Sequence, residues 1–89
     1  MKHLTIRVSG KVQGVFFRAS TKQQADLLEI KGFVRNEPNG DVYIESEGEE
    51  NQIQEFLKWC RRGPDRARVD NLDIREGTWK DFKEFEVRR

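Results

Sequence analysis

The first thirty residues change from the pattern of a strand to the pattern of a helix. Apolar and polar residues alternate from Lys2 to Ser9, which predicts a strand with one buried face. A loop with two glycines follows, and apolar residues then recur at helical spacing. We therefore predict a helix from about Phe17 to Glu29, with Gly32 as its left-handed terminator. The residues on the helical stripe are Phe17, Thr21, Ala25 and Leu28.

The middle of the chain predicts a hairpin followed by a second helix. The turn signal Pro38-Asn39-Gly40 separates a short strand, Phe33 to Glu37, from a strand through Val42 and Ile44. From Glu49 to Arg62 the apolar residues keep the spacing of an amphipathic helix. These residues are Ile53, Phe56, Leu57 and Cys60.

The last third of the chain predicts two more strands and completes the fold. The fourth strand, with an irregular register, includes Val69, Leu72 and Ile74, and the final short strand includes Phe82, Phe85 and Val87. The order β-α-β-β-α-β with an extra edge strand is that of an α+β, ferredoxin-like split βαβ sandwich. We expect a single domain over residues 1–89, with an antiparallel sheet, two helices on one face and the other face partly exposed.

Composition narrows the classes of partner. The chain is 35% hydrophobic and 37% charged, but its net charge is only +1, which argues against a general nucleic-acid or membrane-surface binder. No segment is apolar enough for a signal peptide or a spanning helix. The single cysteine, Cys60, excludes an internal disulfide and a cysteine-based metal site. We expect a soluble cytoplasmic protein.

The segment from Gly10 to Arg18 carries the clearest chemical signal. It leads from a strand through two glycines into a helix, where unpaired N–H groups and the helix dipole create a site for anions. Arg18 adds a planar cation that matches phosphate oxygens in pairs. The glycine spacing alone is more often an ordinary tight turn with a surface arginine.

The complete string from Val8 to Arg18 is far more specific. It resembles the first signature of the acylphosphatase family, an aliphatic residue and a glycine before Val-Gln-Gly-Val, a variable residue and Phe-Arg. Gly32-Phe33-Val34-Arg35-Asn36 resembles the second signature at its expected spacing. The similarity extends from Leu4 to Val87. Phe16 fills the variable position, where many members have glycine, and is expected to alter the packing of the loop.

The resemblance implies a hydrolase of acyl phosphates with Arg18 and Asn36 as catalytic residues. It implies that Arg18 binds the phosphate with backbone N–H groups of Gly14 to Phe17, and that Asn36 positions the attacking water. The expected substrate-binding residues are Gln13, Gly14, Val15, Phe16, Phe17 and Arg18. The implied enzyme is a monomer without metal or cofactor, and inorganic phosphate is both its product and a competitive inhibitor.

The position of Asn36, taken alone, favours a different role. An Asn just before a turn usually caps the backbone. The resemblance reverses that preference, because it places Asn36 at the exit of a central strand adjacent to the first strand, beside the phosphate loop.

The remaining candidates are weaker. The only histidine, His3, is near the N-terminus, and we expect a plain surface role for it. Cys60 is expected in the core, whereas Trp59 and Trp79 fit either core or surface. The basic cluster Arg61, Arg62, Arg66 and Arg68 is most often ordinary surface.

Two alternative functions keep the same fold. RNA-recognition domains share this topology, and Lys31-Gly32-Phe33-Val34 is faintly similar to their aromatic strand motif, but two stacking aromatics are missing. A phosphate-sensing or carbamoyl-phosphate-handling domain of a larger maturation protein would keep the same pocket. The length of the chain favours the independent enzyme.

Overall fold

A computed structural model describes residues 1–89, which form one five-stranded sheet with two helices on one face. The predicted α+β, ferredoxin-like fold is confirmed. In chain order the elements are β1 (Lys2–Lys11), α1 (Phe17–Leu27), β2 (Lys31–Asn36), β3 (Val42–Gly48), α2 (Glu50–Arg62), β4 (Arg68–Glu76) and β5 (Phe85–Val87).

The strand order is β4-β1-β3-β2-β5. The first four strands pair antiparallel, but β5 pairs with β2 in parallel, so the prediction of a wholly antiparallel sheet is wrong. The physical reason is the route of the chain after β4. The strand β4 ends at the end of the sheet where β2 begins. The segment 77–84 then crosses the sheet at that end and brings the chain to the side of β2. Because β5 starts there, it runs in the direction of β2.

The apolar core lies between the sheet and the two helices. The predicted stripe of α2 is buried against it with Cys60 fully buried, as predicted, and so are Phe17, Thr21 and Ala25 of α1, whereas Leu28 follows the end of α1 and is partly buried. Phe56 of α2 packs edge-on against Phe85, which joins the last strand to the core. Trp59 is half-buried and contacts Phe17 with a ring separation of 5.5 Å, whereas the side chain of Trp79 is 41% exposed.

Gly32 does not end α1, contrary to the prediction. The left-handed residue after this helix is Glu29, with φ of 58°, and Gly32 lies inside β2. A Cβ atom at Gly32 would lie 1.9 Å from the carbonyl oxygen of Glu45 on the neighbouring strand. The glycine is therefore required by the close approach of two strands rather than by the end of a helix.

His3 is buried, with 5% of its surface exposed, so the predicted surface role is wrong. Its Nδ1 atom lies 2.7 Å from Oε2 of Glu47, and its Nε2 atom lies 3.3 Å from Oε1 of Glu45. The segment 77–84 folds back over this face of the sheet, and the ring of Phe82 stacks on His3. Periodicity did not show this contact because 77–84 has no regular secondary structure.

Glu47 attaches the segment 77–84 to the sheet. Its carboxylate accepts hydrogen bonds from the backbone N–H groups of Lys80, at 2.6 Å, and Phe82, at 2.8 Å. Burial alone would raise the pKa of Glu47. The hydrogen bonds from these two N–H groups and from His3 outweigh burial and hold the pKa below its usual value.

We expect Glu47→Gln to destabilise the fold by about 1–3 kcal/mol at pH 7, because an amide cannot satisfy all the donors that face the carboxylate. The folded-state pKa lies below the ordinary value of 4.5. The stabilisation by Glu47 is therefore complete above that pH and is lost as the pH falls through the folded-state pKa. Urea denaturation of both proteins should show that the difference in their free energies of unfolding is largest at pH 7 and decreases at lower pH.

The control is Glu55→Gln, because Glu55 is exposed on α2 and pairs only with the exposed Lys58. That substitution should change the free energy of unfolding little. An unchanged denaturation midpoint for Glu47→Gln at pH 7 would contradict the proposed attachment.

Candidate active site

The loop between β1 and α1 has an unusual backbone. Gly10, in the irregular part of the β1–β4 pairing, has φ of 126°, and a Cβ atom there would lie 2.2 Å from the carbonyl oxygen of Arg68. Gly14 has φ of 74°, and no atom lies within 4 Å of its added Cβ. Phe16, the residue before α1, also has a left-handed backbone, with φ of 63°. This alternation of conformations turns successive N–H groups toward one side.

The N–H groups around this helix start have no acceptor within the protein. No side chain caps α1, and the first amide after the loop that reaches a carbonyl is Ser20, which donates to Phe16. The N–H groups of Gly14 to Ala19 are therefore free to donate to a ligand. They lie at the positive end of the α1 dipole, where an anion is stabilised.

A cavity of about 620 Å³ opens beside these donors. Five of the residues that we predicted for the site line this cavity: Gly14, Phe16, Phe17, Arg18 and Asn36. The other lining residues are Val12, Ala19, Val87 and Arg89. Since no carboxylate, imidazole or thiol is among them, the side chains of the cavity carry only positive charge.

Gln13 and Val15, which we also expected to bind substrate, do not line the cavity. Val15 is buried in the core. The amide of Gln13 donates to the carbonyl oxygens of Glu37, at 2.8 Å, and Asp41, at 2.9 Å. It therefore holds the loop against the turn that follows β2.

Arg18 and Asn36 reach the cavity from two different elements. Arg18 is the second residue of α1, is half-buried, and makes no ion pair with any carboxylate. Asn36 is the last residue of β2, and its side chain makes no hydrogen bond within the protein. The turn after β2 is instead stabilised by Asn39, whose Oδ1 accepts from the N–H of Asp41. The expected turn-capping role therefore belongs to Asn39.

Asn36 does not lie on a strand adjacent to β1, and that expectation is wrong. The strand between β1 and β2 is β3, which is antiparallel to both. Because β1 and β2 therefore run in the same direction, their C-terminal ends meet at one edge of the sheet. This places Asn36 near the loop without direct pairing of the two strands.

Val87 and Arg89 belong to the cavity but were not predicted. They follow Phe85 at alternate positions: Val87 shares a face of β5 with Phe85, and Arg89 lies two residues beyond the end of that strand. β5 reaches the cavity only because it pairs with β2, with Val87 opposite Val34. The alternation was visible in the sequence, but this pairing was not.

The comparison with known families decides to which family the chain belongs. The family model described as Acylphosphatase matches residues 4–87. The chain belongs to the acylphosphatase family. Its function is therefore the hydrolysis of acyl phosphates, which are small molecules, to a carboxylate and inorganic phosphate. The enzyme interpretation is confirmed over the RNA-binding alternative.

Individual relatives agree with this assignment. An acylphosphatase of Methylococcus capsulatus is 46% identical over 90 residues, covering 100% of this chain and 98% of the relative. The crystal structure of acylphosphatase from Bacillus subtilis matches with a TM-score of 0.97 at 31% identity, covering 100% of both chains. A region of full-length HypF, in a phosphate- and nucleotide-bound form, matches 99% of this chain with a TM-score of 0.89 at 31% identity.

The extent of these matches separates two kinds of relative. The region matched in HypF is 12% of that chain, whereas the Methylococcus acylphosphatase has nearly the same extent as this chain. Neither helix of this acylphosphatase is long and apolar enough to cross a membrane.

Substituting Gly14 tests whether the shape of the loop serves ligand binding. A β-branched side chain is strained at positive φ, so Gly14→Val should distort the backbone that presents the N–H groups. We expect inorganic phosphate to bind about tenfold more weakly or worse, the loss of at least one charge-assisted hydrogen bond. Isothermal titration with phosphate, together with the thermal midpoint, measures both effects.

Gly40→Val is the matched control. Gly40 also has positive φ, 99°, with no atom within 4 Å of an added Cβ, but it lies in the turn between β2 and β3. Both substitutions should lower the thermal midpoint, and only Gly14→Val should weaken phosphate binding. Equal phosphate affinity in the two folded variants would assign Gly14 to a purely structural role.

Proposed function

We propose that the loop N–H groups and Arg18 hold the phosphoryl group of the substrate, and that Asn36 orients the attacking water. The observation that supports this proposal is one cavity that contains free N–H donors, a guanidinium and an unengaged amide, without any carboxylate. Such a lining favours a dianionic ligand such as a phosphoryl group. It also supplies a polar side chain for a water molecule beside that ligand.

Phosphoryl transfer depends on positioning and on charge stabilisation more than on covalent help. The N–H groups at the start of α1 and the fork of Arg18 donate to the three peripheral oxygens, whose charge changes along the reaction. Because these donors are fixed by the backbone and by the first turn of a helix, they need little reorganisation during the reaction.

Asn36 acts on the nucleophile in this proposal. Its side-chain carbonyl oxygen accepts a hydrogen bond from water and aims the water oxygen at phosphorus. The new bond joins this oxygen to phosphorus, and the bond between phosphorus and the acyl oxygen breaks. The electron pair of that bond leaves with the carboxylate, and the protons of the water end on phosphate and in solvent.

A metal ion and a general acid are unnecessary in this scheme. The leaving carboxylate has a pKa of about 4, so it departs without protonation at neutral pH. Among the side chains that line the cavity, only the amide oxygen of Asn36 is a usual ligand of a hard divalent cation, and a single neutral ligand does not build a metal site.

Three further properties belong to the same proposal. Inorganic phosphate should compete with substrate, because it would fill the site of the phosphoryl group. We also propose that the enzyme acts as a monomer and in the cytoplasm. A reducing compartment suits Cys60, a free thiol whose pKa burial raises far above its ordinary value.

Asn36→Ala should lower kcat about 10²-fold or more while KM changes little, because an interaction with the nucleophile contributes mainly in the transition state. Inhibition by phosphate should be nearly intact. Asn36→Asp should weaken phosphate binding as well, because it adds a negative charge beside the bound anion. The assay is hydrolysis of benzoyl phosphate by the purified variants.

The matched control is Asn39→Ala, which removes the amide that does support the turn. It should cost about 1 kcal/mol of stability and leave kcat near the wild-type value. A stable Asn36→Ala enzyme with wild-type kcat would remove Asn36 from the mechanism.

A further inference from the structure

Phe16 departs from three rules of local structure at once. It has a left-handed backbone without being glycine, it precedes α1 without offering a capping side chain, and its ring is 76% exposed. The left-handed conformation is unfavourable for a residue with a side chain, because Cβ comes too close to the following carbonyl oxygen. Gly or Asn would suit the left-handed backbone better, and Asn would also offer a capping side chain.

The exposed ring faces the cavity of the active site. Five large apolar side chains of the whole molecule are exposed: Met1, Phe16, Leu27, Trp79 and Val87. Two of them, Phe16 and Val87, line this cavity. They belong to different elements. Phe16 is on the loop between β1 and α1, whereas Val87 is on β5, which pairs with the strand that ends in Asn36.

The direction of attack selects between these two apolar walls. The attacking and leaving oxygens of a phosphoryl transfer are roughly in line, on opposite sides of phosphorus. If Asn36 holds the water, the acyl group points away from Asn36 and from the neighbouring Val87. Of the two large apolar side chains of the cavity that are exposed, Phe16 is the one that does not belong to a strand beside β2.

We propose that Phe16 is a specificity-determining residue whose ring contacts the acyl group and favours acyl phosphates with apolar acyl chains. This inference rests on the proposed function. The phosphoryl group is held by N–H donors and Arg18, which are the same for every substrate. Only the acyl group differs among substrates, and the ring of Phe16 is the surface that can distinguish them.

The test compares acetyl, butyryl and hexanoyl phosphate, whose leaving groups differ in apolar length. In Phe16→Ala the ratio of kcat/KM for hexanoyl over acetyl phosphate should fall about five- to tenfold, the loss expected when part of the chain no longer buries apolar surface. Phe16→Tyr keeps the ring and should retain the wild-type ratio. Because the N–H of residue 16 is one of the loop donors, inhibition by inorganic phosphate is measured in both variants, and the ratio between substrates cancels any change in phosphate affinity that they share.

Leu27→Ala is the matched control, because Leu27 is also 76% exposed and lies at the other end of α1, outside the cavity. It should leave the ratio unchanged. An unchanged ratio in Phe16→Ala overturns the inference. So does an equal loss on all three substrates or a lower thermal midpoint without a change of ratio, because both indicate a structural role.

Arg18→Lys separates this inference from the proposed function beneath it. It should reduce kcat/KM for all three substrates and weaken phosphate inhibition, because a lysine cannot reproduce the bidentate contact. Wild-type behaviour of Arg18→Lys would overturn the proposed site itself. If Arg18→Lys lowers kcat/KM while Phe16→Ala keeps the wild-type ratio of hexanoyl over acetyl phosphate, only the role of Phe16 is overturned.

Discussion

The proposed chemistry of this acylphosphatase depends on a set of backbone N–H groups that the fold leaves without acceptors. The free N–H groups at the start of a helix normally donate to a capping side chain or to water. At the start of α1 the loop supplies none, because Gly14 and Phe16 turn the backbone into left-handed conformations. The fold gives up local stability there and gains a group of fixed donors for an anion. Such a trade is typical of sites that must be organised before the ligand arrives.

The rest of the architecture holds that loop in place. The β-α-β crossover makes β1 and β2 parallel with β3 between them, so the loop between β1 and α1 and Asn36 lie at the same end of the sheet. Gln13 then joins the loop to the turn beyond β2 through two hydrogen bonds to carbonyl oxygens. The polar face of the sheet is closed independently, through His3, Glu47 and the segment 77–84. The site and this second cluster lie on opposite faces of the same sheet.

Much of this could be predicted from sequence because it follows from local periodicity. The period of two before Gly10 and the helical stripes after Phe17 and Glu49 defined the elements, and two motifs together indicated the acylphosphatase family. The predictions that were wrong or missing concern contacts between segments that are distant in the sequence. The burial of His3 requires the irregular segment 77–84, and the place of Arg89 requires the parallel pairing of β5 with β2. The contact of the Gln13 side chain with the turn after β2 was not visible either, because a motif identifies a residue without showing which way its side chain points.

The most direct test of the account is a titration of the ¹⁵N-labelled protein with inorganic phosphate, followed by amide chemical shifts, with EDTA present throughout. If the helix start binds the phosphoryl group, the largest shifts should occur at Gly14 to Ala19 and at the side chain of Arg18. They should reach half of their maximum at a phosphate concentration equal to the inhibition constant for hydrolysis. Shifts that concentrate instead on the cluster Arg61 to Arg68, or that require a divalent ion, would contradict a metal-free phosphate site built from backbone N–H groups.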